Sequence, residues 1–205
     1  MKSLLSAAAV ATAMSALFAL PASAAVTTYT TLAGFNAATS NGVTHNFEGI
    51  AAPGTYLFGN ATVGGVTFST TGVPFVIDGG AGYGFYGASF FSGQNTGNVN
   101  ANWSGNTAVA FSYGSYITQG SLSATLSTGD VISLSDALLN TASFIGFVSD
   151  GAAITSVDFL GTSSVLDITQ FILADAGNNS VPEPGSLALA GLALAGLGVA
   201  RRRKV

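Results

Sequence analysis

The sequence predicts an all-β exported domain of β-sandwich or jelly-roll type, and three observations predict it. Apolar residues recur at every second position in short runs, turn-forming Asp-Gly and Gly-Gly pairs interrupt those runs, and the runs follow no fixed repeat. A period of two puts alternate side chains on one face of a strand, the pattern of half-buried sheets. Absence of a fixed repeat argues against a propeller or solenoid.

Taken in chain order, the first element is a short helix over residues 31–38, with Thr31 as N-cap, Leu32 and Phe35 on one face and Gly42 just past its end. Strands follow at 43–47, around Val66 and Phe68, at 74–77 and at 85–91. Val109, Phe111 and Tyr113 alternate with Ala108, Ala110 and Ser112, and Leu122, Ala124 and Leu126 with Ser121, Ser123 and Thr125. Further strands are expected at 131–134, 144–149, around Val157 and Phe159, and at 165–173, about ten in all. Asp78-Gly79-Gly80, Thr128-Gly129-Asp130 and Asp150-Gly151 supply the turn chemistry between them.

Charge is confined in a way that excludes whole classes of function. The chain has 205 residues, no Cys and one His, and its 5 basic residues are all terminal: Lys2, Arg201, Arg202, Arg203 and Lys204. Of the 9 carboxylates only Glu183 lies outside residues 25–180, so that stretch holds eight acids and no Lys or Arg. It has no means of neutralising phosphates, and nucleic-acid binding is excluded. Without Cys there are no disulfides, thiolate metal sites or cysteine nucleophiles.

Both ends are address labels. Lys2, an apolar Ala-rich run over 4–20, and a small-x-small site at Ala22 and Ala24 describe a signal peptide over 1–24, cleaved after Ala24 by signal peptidase on the Sec route. At the other end, Pro182-Glu183-Pro184 precedes an uncharged run over 186–200 and a terminal Arg-Arg-Arg-Lys-Val. That run measures about 22 Å as a helix, short for a bilayer, and spans if its flanking cations snorkel and the membrane thins. The four cations stay cytoplasmic, which leaves the domain of residues 25–180 outside the membrane. The two prolines keep the strip before the helix extended and accessible.

This three-part tail over 181–205 resembles the PEP-CTERM sorting signal of Gram-negative bacteria. The resemblance implies processing by exosortase, a membrane protease/transpeptidase, and association with exopolysaccharide or biofilm matrix. It assigns Pro182, Glu183, Pro184, Arg201, Arg202 and Arg203 to sorting, with Glu183 as a recognition carboxylate. Shorter fragments are similar to exported proteins of the same kind: Tyr29, Phe35 and Phe47-Glu48-Gly49 near the start, Gly65-Val66-Thr67-Phe68, and Phe144-Ile145-Gly146 near the end.

Chemistry inside the domain is sparse. His45 is the single imidazole and shares its strand face with Val43 and Phe47, the placement of a core histidine. Glu48 and Asp167 lie in or beside expected strands, and first and last strands brought together would let the two share a calcium ion with backbone carbonyls. The remaining domain aspartates coincide with turns, apart from Asp158 on its strand. Gly82, Gly84 and Gly87 spell a dinucleotide fingerprint, but no βαβ unit surrounds them.

The aromatic stretch 83–91, with Trp103, Tyr113 and Tyr116, has two readings: rings that fill the core, or a platform on which sugar rings stack beside Gln94, Asn95, Asn98, Asn100 and Asn102. On the second reading Tyr83, Trp103 and Tyr113 bind ligand, and residues 92–104 form a polar loop. The expected function is a non-enzymatic surface or matrix protein sorted by exosortase, without a cofactor beyond calcium. The alternative is a carbohydrate-binding module.

Overall fold

The computed structural model describes residues 24–177, except 53–54, 78–87, 95–97, 116–120, 135–140 and 163–164. Ala22, Tyr83, the sorting residues Pro182, Glu183, Pro184, Arg201, Arg202 and Arg203, and the helix expected over 186–200 lie outside the described residues.

Strands dominate because alternation dominates the sequence. In chain order the elements are β1 (Val26–Tyr29), α1 (Leu32–Ala38), β2 (Thr39–Asn46), β3 (Tyr56–Phe58), β4 (Ala61–Val63), β5 (Val66–Ser69), β6 (Val73–Ile77) and β7 (Phe90–Gln94). There follow β8 (Asn98–Asn106), β9 (Ala108–Gly114), β10 (Leu122–Leu126), β11 (Val131–Leu134), β12 (Ser143–Ser149), β13 (Ile154–Gly161) and β14 (Val165–Ala176). They form two antiparallel sheets. One has the order β1-β12-β9-β14-β7-β6-β3 with β2 added on β14; the other is β11-β10-β13-β8-β5-β4.

The core lies between the sheets and is built of aromatic rings. Phe111 on β9 meets Phe159 on β13 edge to face at 5.1 Å, and Phe68 on β5 lies 5.1 Å from Phe171 on β14 and 5.6 Å from Phe91 on β7. Such pairs contribute about 0.5–1.5 kcal/mol each beyond their buried area. His45 stacks on Phe171 at 5.0 Å and is half-buried, while its strand neighbour Val43 is exposed.

β14 organises the larger sheet. Its residues 165–168 pair with β7 and its residues 170–176 with β2, so these two strands lie end to end along one edge of it, while β9 occupies the other edge. The register against β9 shifts between Ile168 and Gln170. A bulge of this kind reverses side-chain parity, which places Ile168 and Phe171 in the inter-sheet core and Ile172 and Ala174 in a separate cluster on the opposite face.

That opposite face is where α1 docks. Thr31 caps the helix through its side-chain oxygen, which accepts from the Gly34 N–H at 3.2 Å. Phe35 is fully buried there with Ala108, Ala110, Ile172 and Ala174, its ring edge to face with Tyr29 and Phe144. Leu32, expected on the same face, is exposed. The helix ends at Ala38, as the sequence predicts, and runs straight into β2, which takes in Gly42; Thr39 donates its hydroxyl to the Phe35 carbonyl at 2.9 Å.

Four strands escape the period-two reading because of length or polarity. β3 and β4 have three residues each, β1 has four, and β8 is built on alternating Asn. Residues expected to form a polar loop at 92–104 are therefore mostly strand, from β7 into β8. Of the strand expected at 85–91, residues 85–87 lie outside the described residues, and β7 covers Phe90 and Phe91.

Candidate functional site

Trp103 and Tyr113 do not form a ligand platform. Both point into the inter-sheet core, 9% and 1% exposed, and Tyr113 packs on Phe159 at 6.5 Å. The reason is parity. On β8, Val99, Ala101 and Trp103 face inward, so Asn100 and Asn102 are displayed on the outer surface of the six-stranded sheet. Aromatic and amide side chains that are adjacent in sequence thus end on opposite faces.

The outer amides belong to rows of hydrogen-bonding side chains. Thr125, Asp158, Asn100 and Ser69 stand opposite one another across four strands, as do Ser156, Asn102, Thr67 and Thr62. Asn102 donates to Asn100 and Asn100 to Asp158, while the Thr62 and Thr67 hydroxyls are 3.0 Å apart. Alternation of Asn98, Asn100 and Asn102 with Val99, Ala101 and Trp103 is the sequence signal that would have revealed this strand, read instead as a polar loop.

Glu48 and Asp167, expected to share a calcium ion, occupy different settings. Glu48 lies on the turn after β2, and its two oxygens accept from the Ser89 N–H at 2.8 Å and the Ser89 hydroxyl at 3.0 Å. It ties the end of β2 to the start of β7, the two strands that share an edge of β14. Asp167 lies within β14, opposite Ser92 of β7 and Gly114 of β9, and is fully buried. The strands expected first and last, β2 and β14, do pair, and the carboxylate of Glu48 is engaged by Ser89 beside them. Among the described residues no three His, Asp or Glu side chains gather closely enough to hold a metal ion.

The other described carboxylates are structural too. Asp130 accepts from the Thr128 hydroxyl at 2.7 Å in the turn where Gly129 has φ +93°, and Asp175 accepts from the Asn41 amide. Asp150 accepts from the Ala25 N–H at 2.7 Å.

An aromatic surface does exist, in a place the sequence reading missed. Tyr56 and Phe58 stand on the same face of β3, an outer strand of the larger sheet, and are 39% and 70% exposed. Their ring centroids are 6.3 Å apart with planes 16° from parallel. Phe75 on β6 supports both rings edge to face, at 6.1 Å from Tyr56 and 6.0 Å from Phe58. Phe75 is buried with Ile77 and Phe90 in a cluster separate from the inter-sheet core, so these rings occupy the sheet's other face. A three-residue strand gives too few alternations to be recognised, although Gly59 just after it marks a turn.

Residues 180–204 match the family model described as the PEP-CTERM protein-sorting motif. The chain therefore carries a PEP-CTERM sorting motif at its C-terminal end, a signal that implies export toward the cell surface and processing by exosortase. No curated protein matches it. Among solved structures, a mutant of the family 29 carbohydrate-binding module CBM29-2 is similar over 71% of this chain and 99% of its own, at 12% identity and a TM-score of 0.37. The C-terminal family 6 module of the laminarinase LamC from the marine Zobellia galactanivorans is similar over 66% of this chain and all of its own, at 14% identity and a TM-score of 0.28.

Proposed function

We propose that the chain is a non-enzymatic protein of the Gram-negative cell surface or extracellular matrix. It is exported on the Sec route by residues 1–24, held in the inner membrane by residues 186–200, and released into an exopolysaccharide-rich matrix after exosortase acts near Pro182-Glu183-Pro184. The observation that carries this reading is the sorting motif over 180–204. The domain adds support: its only imidazole is stacked on Phe171, and Glu48, Asp130, Asp150 and Asp175 all serve as structural acceptors.

Intact mass and cell fractionation in a host with exosortase test it. Wild type is expected to lose residues 1–24 and the C-terminal helix and to leave the inner membrane. Glu183→Ala, and a triple change of Arg201, Arg202 and Arg203 to Ala, are expected to retain the helix in the membrane fraction. A wild type that keeps its helix overturns the reading, because the tail is then an anchor only.

The aromatic surface on β3 favours a second reading within the first, that the domain binds polysaccharide. Exposed rings offer a face to the C–H side of a sugar, and residues 25–180 contain no Lys or Arg, which points to a neutral polymer over an acidic one. Phe58→Ala is expected to weaken binding to a neutral glucan or mannan about tenfold, equivalent to about 1.4 kcal/mol. Its melting temperature should stay near wild type, because Phe58 is 70% exposed. Affinity electrophoresis with an alginate control checks this, and unchanged retention in the neutral gels overturns it.

A further inference from the structure

Ala25, at the start of the domain, is held in a two-way clamp. Asp150 Oδ1 accepts from the Ala25 N–H at 2.7 Å, and the Asp150 N–H donates to the Ala25 carbonyl at 3.1 Å. The clamp sits just ahead of the β1–β12 register, which begins at Val26 opposite Ser149. Ser149 is itself fixed by an N–H bond to the Thr107 carbonyl at 2.8 Å and is fully buried. The Asp150 carboxylate is thus placed on the nitrogen of residue 25 by strand pairing.

That nitrogen is also the one that signal cleavage after Ala24 would liberate. We propose that Asp150 is the binding site for the α-ammonium group of the mature chain, so that removal of the export signal creates an ion pair that locks β1 onto the sheet. The proposal rests on the reading that cleavage follows Ala24. Hydrolysis breaks the bond between the Ala24 carbonyl carbon and the Ala25 nitrogen. Water adds its oxygen to that carbon, leaving a carboxylate on Ala24, and both of its protons end on the nitrogen as an ammonium. Before cleavage the Asp150 carboxylate accepts from a neutral amide N–H; afterwards the donor is an ammonium, both partners carry charge, and the hydrogen bond becomes an ion pair.

Charge composition makes the pairing specific. Residues 25–180 hold eight carboxylates and no Lys or Arg, so the new amino terminus is the one cation, His45 aside, that the cleaved domain brings to its own surface. Asp150 is already at hydrogen-bond distance from it. The two groups are exposed, so the gain is modest and screened by salt. It acts on β1, a four-residue strand that among the described residues pairs with β12 alone and that carries Tyr29 against Phe35.

The test uses the processed protein isolated after export. Intact mass first reports whether it begins at Ala25. Since there is no Lys between residues 25 and 203, a succinimidyl acetate reagent acetylates the α-amine and, where the tail persists, Lys204. Peptide mass then separates the two sites. At neutral pH and low salt the Ala25 amine is expected to react about threefold or more slowly in wild type than in Asp150→Asn, which keeps an acceptor oxygen but removes the charge. Asp150→Asn is expected to lower the melting temperature by roughly 1–3 °C before acetylation and by nothing further after it. Acetylation of wild type alone gives the same loss, and 1 M salt removes it, so the outcome does not depend on the variant folding.

A mature protein that starts at another residue overturns the cleavage reading and the ion pair with it. A protein that starts at Ala25 but shows equal acetylation rates, or an Asp150→Asn loss that persists after acetylation, overturns the ion pair alone and leaves Asp150 as a backbone acceptor.

Discussion

Phe171→Ala is expected to remove about 3–5 kcal/mol of stability, enough to leave much of the exported domain unfolded at growth temperature. Phe171 is fully buried and touches four other rings: His45 at 5.0 Å, Phe68 at 5.1 Å, Phe47 at 6.4 Å and Phe111 at 6.5 Å. Two of these belong to neighbouring strands of its own sheet and one, Phe68, to the opposite sheet, so the side chain bridges the layers. Truncation leaves a cavity walled by rings held on paired strands of both sheets, and such walls collapse poorly. Denaturant melts of the soluble domain should show the loss, whereas Phe171→Leu, which refills most of the volume, should cost less than half as much. The sorting signal is a separate linear segment, so membrane-fraction assays of Phe171→Ala should still show C-terminal processing of whatever protein survives. A melting curve that superimposes on wild type would refute the bridging role.

Gly146→Val is expected to be nearly as damaging, for the opposite reason. Gly146 lies on β12 between Tyr29 of β1 and Ala110 of β9. A Cβ placed there would lie 2.4 Å from Phe35 Cδ2 and 3.0 Å from Phe35 Cγ, far inside van der Waals contact. Phe35 has no room to yield, since it is fully buried with Tyr29 and Phe144 edge to face against it. Overpacking of this kind costs about 1–3 kcal/mol, a fall of roughly 3–10 °C in melting temperature for a domain this size. Trimming the ring should relieve it: Phe35→Leu combined with Gly146→Val is expected to lose less than the sum of the two single changes. Strict additivity would show that α1 does not dock through this contact.

These residues also show how much was legible in sequence. Alternation in β5, β9, β10 and β13 was visible because one face of each is apolar and the other largely polar or small. The helix was visible through Thr31, whose capping oxygen acts within three residues. β8 was hidden by asparagines that suit a loop, and β3 by its three-residue length. Trp103 and Tyr113 look the same in sequence whether they serve a core or a ligand, since aromatic rings suit both. Only the parity of β8 and β9 put them inside.

Local chemistry therefore determined the all-β class, the capped helix, the lack of cations in the domain and the C-terminal sorting motif, because alternation, capping, charge and short linear motifs act over a few residues. Tertiary structure alone decided the rest: that β2 and β7 share one edge of β14 and need Glu48 to close their junction, that Gly146 is a floor for Phe35, that Tyr56 and Phe58 stand exposed over Phe75, and that Asp150 reaches Ala25 across 125 residues of sequence. Each of these depends on strand order and register, which arise from long-range pairing and leave no local mark in the chain.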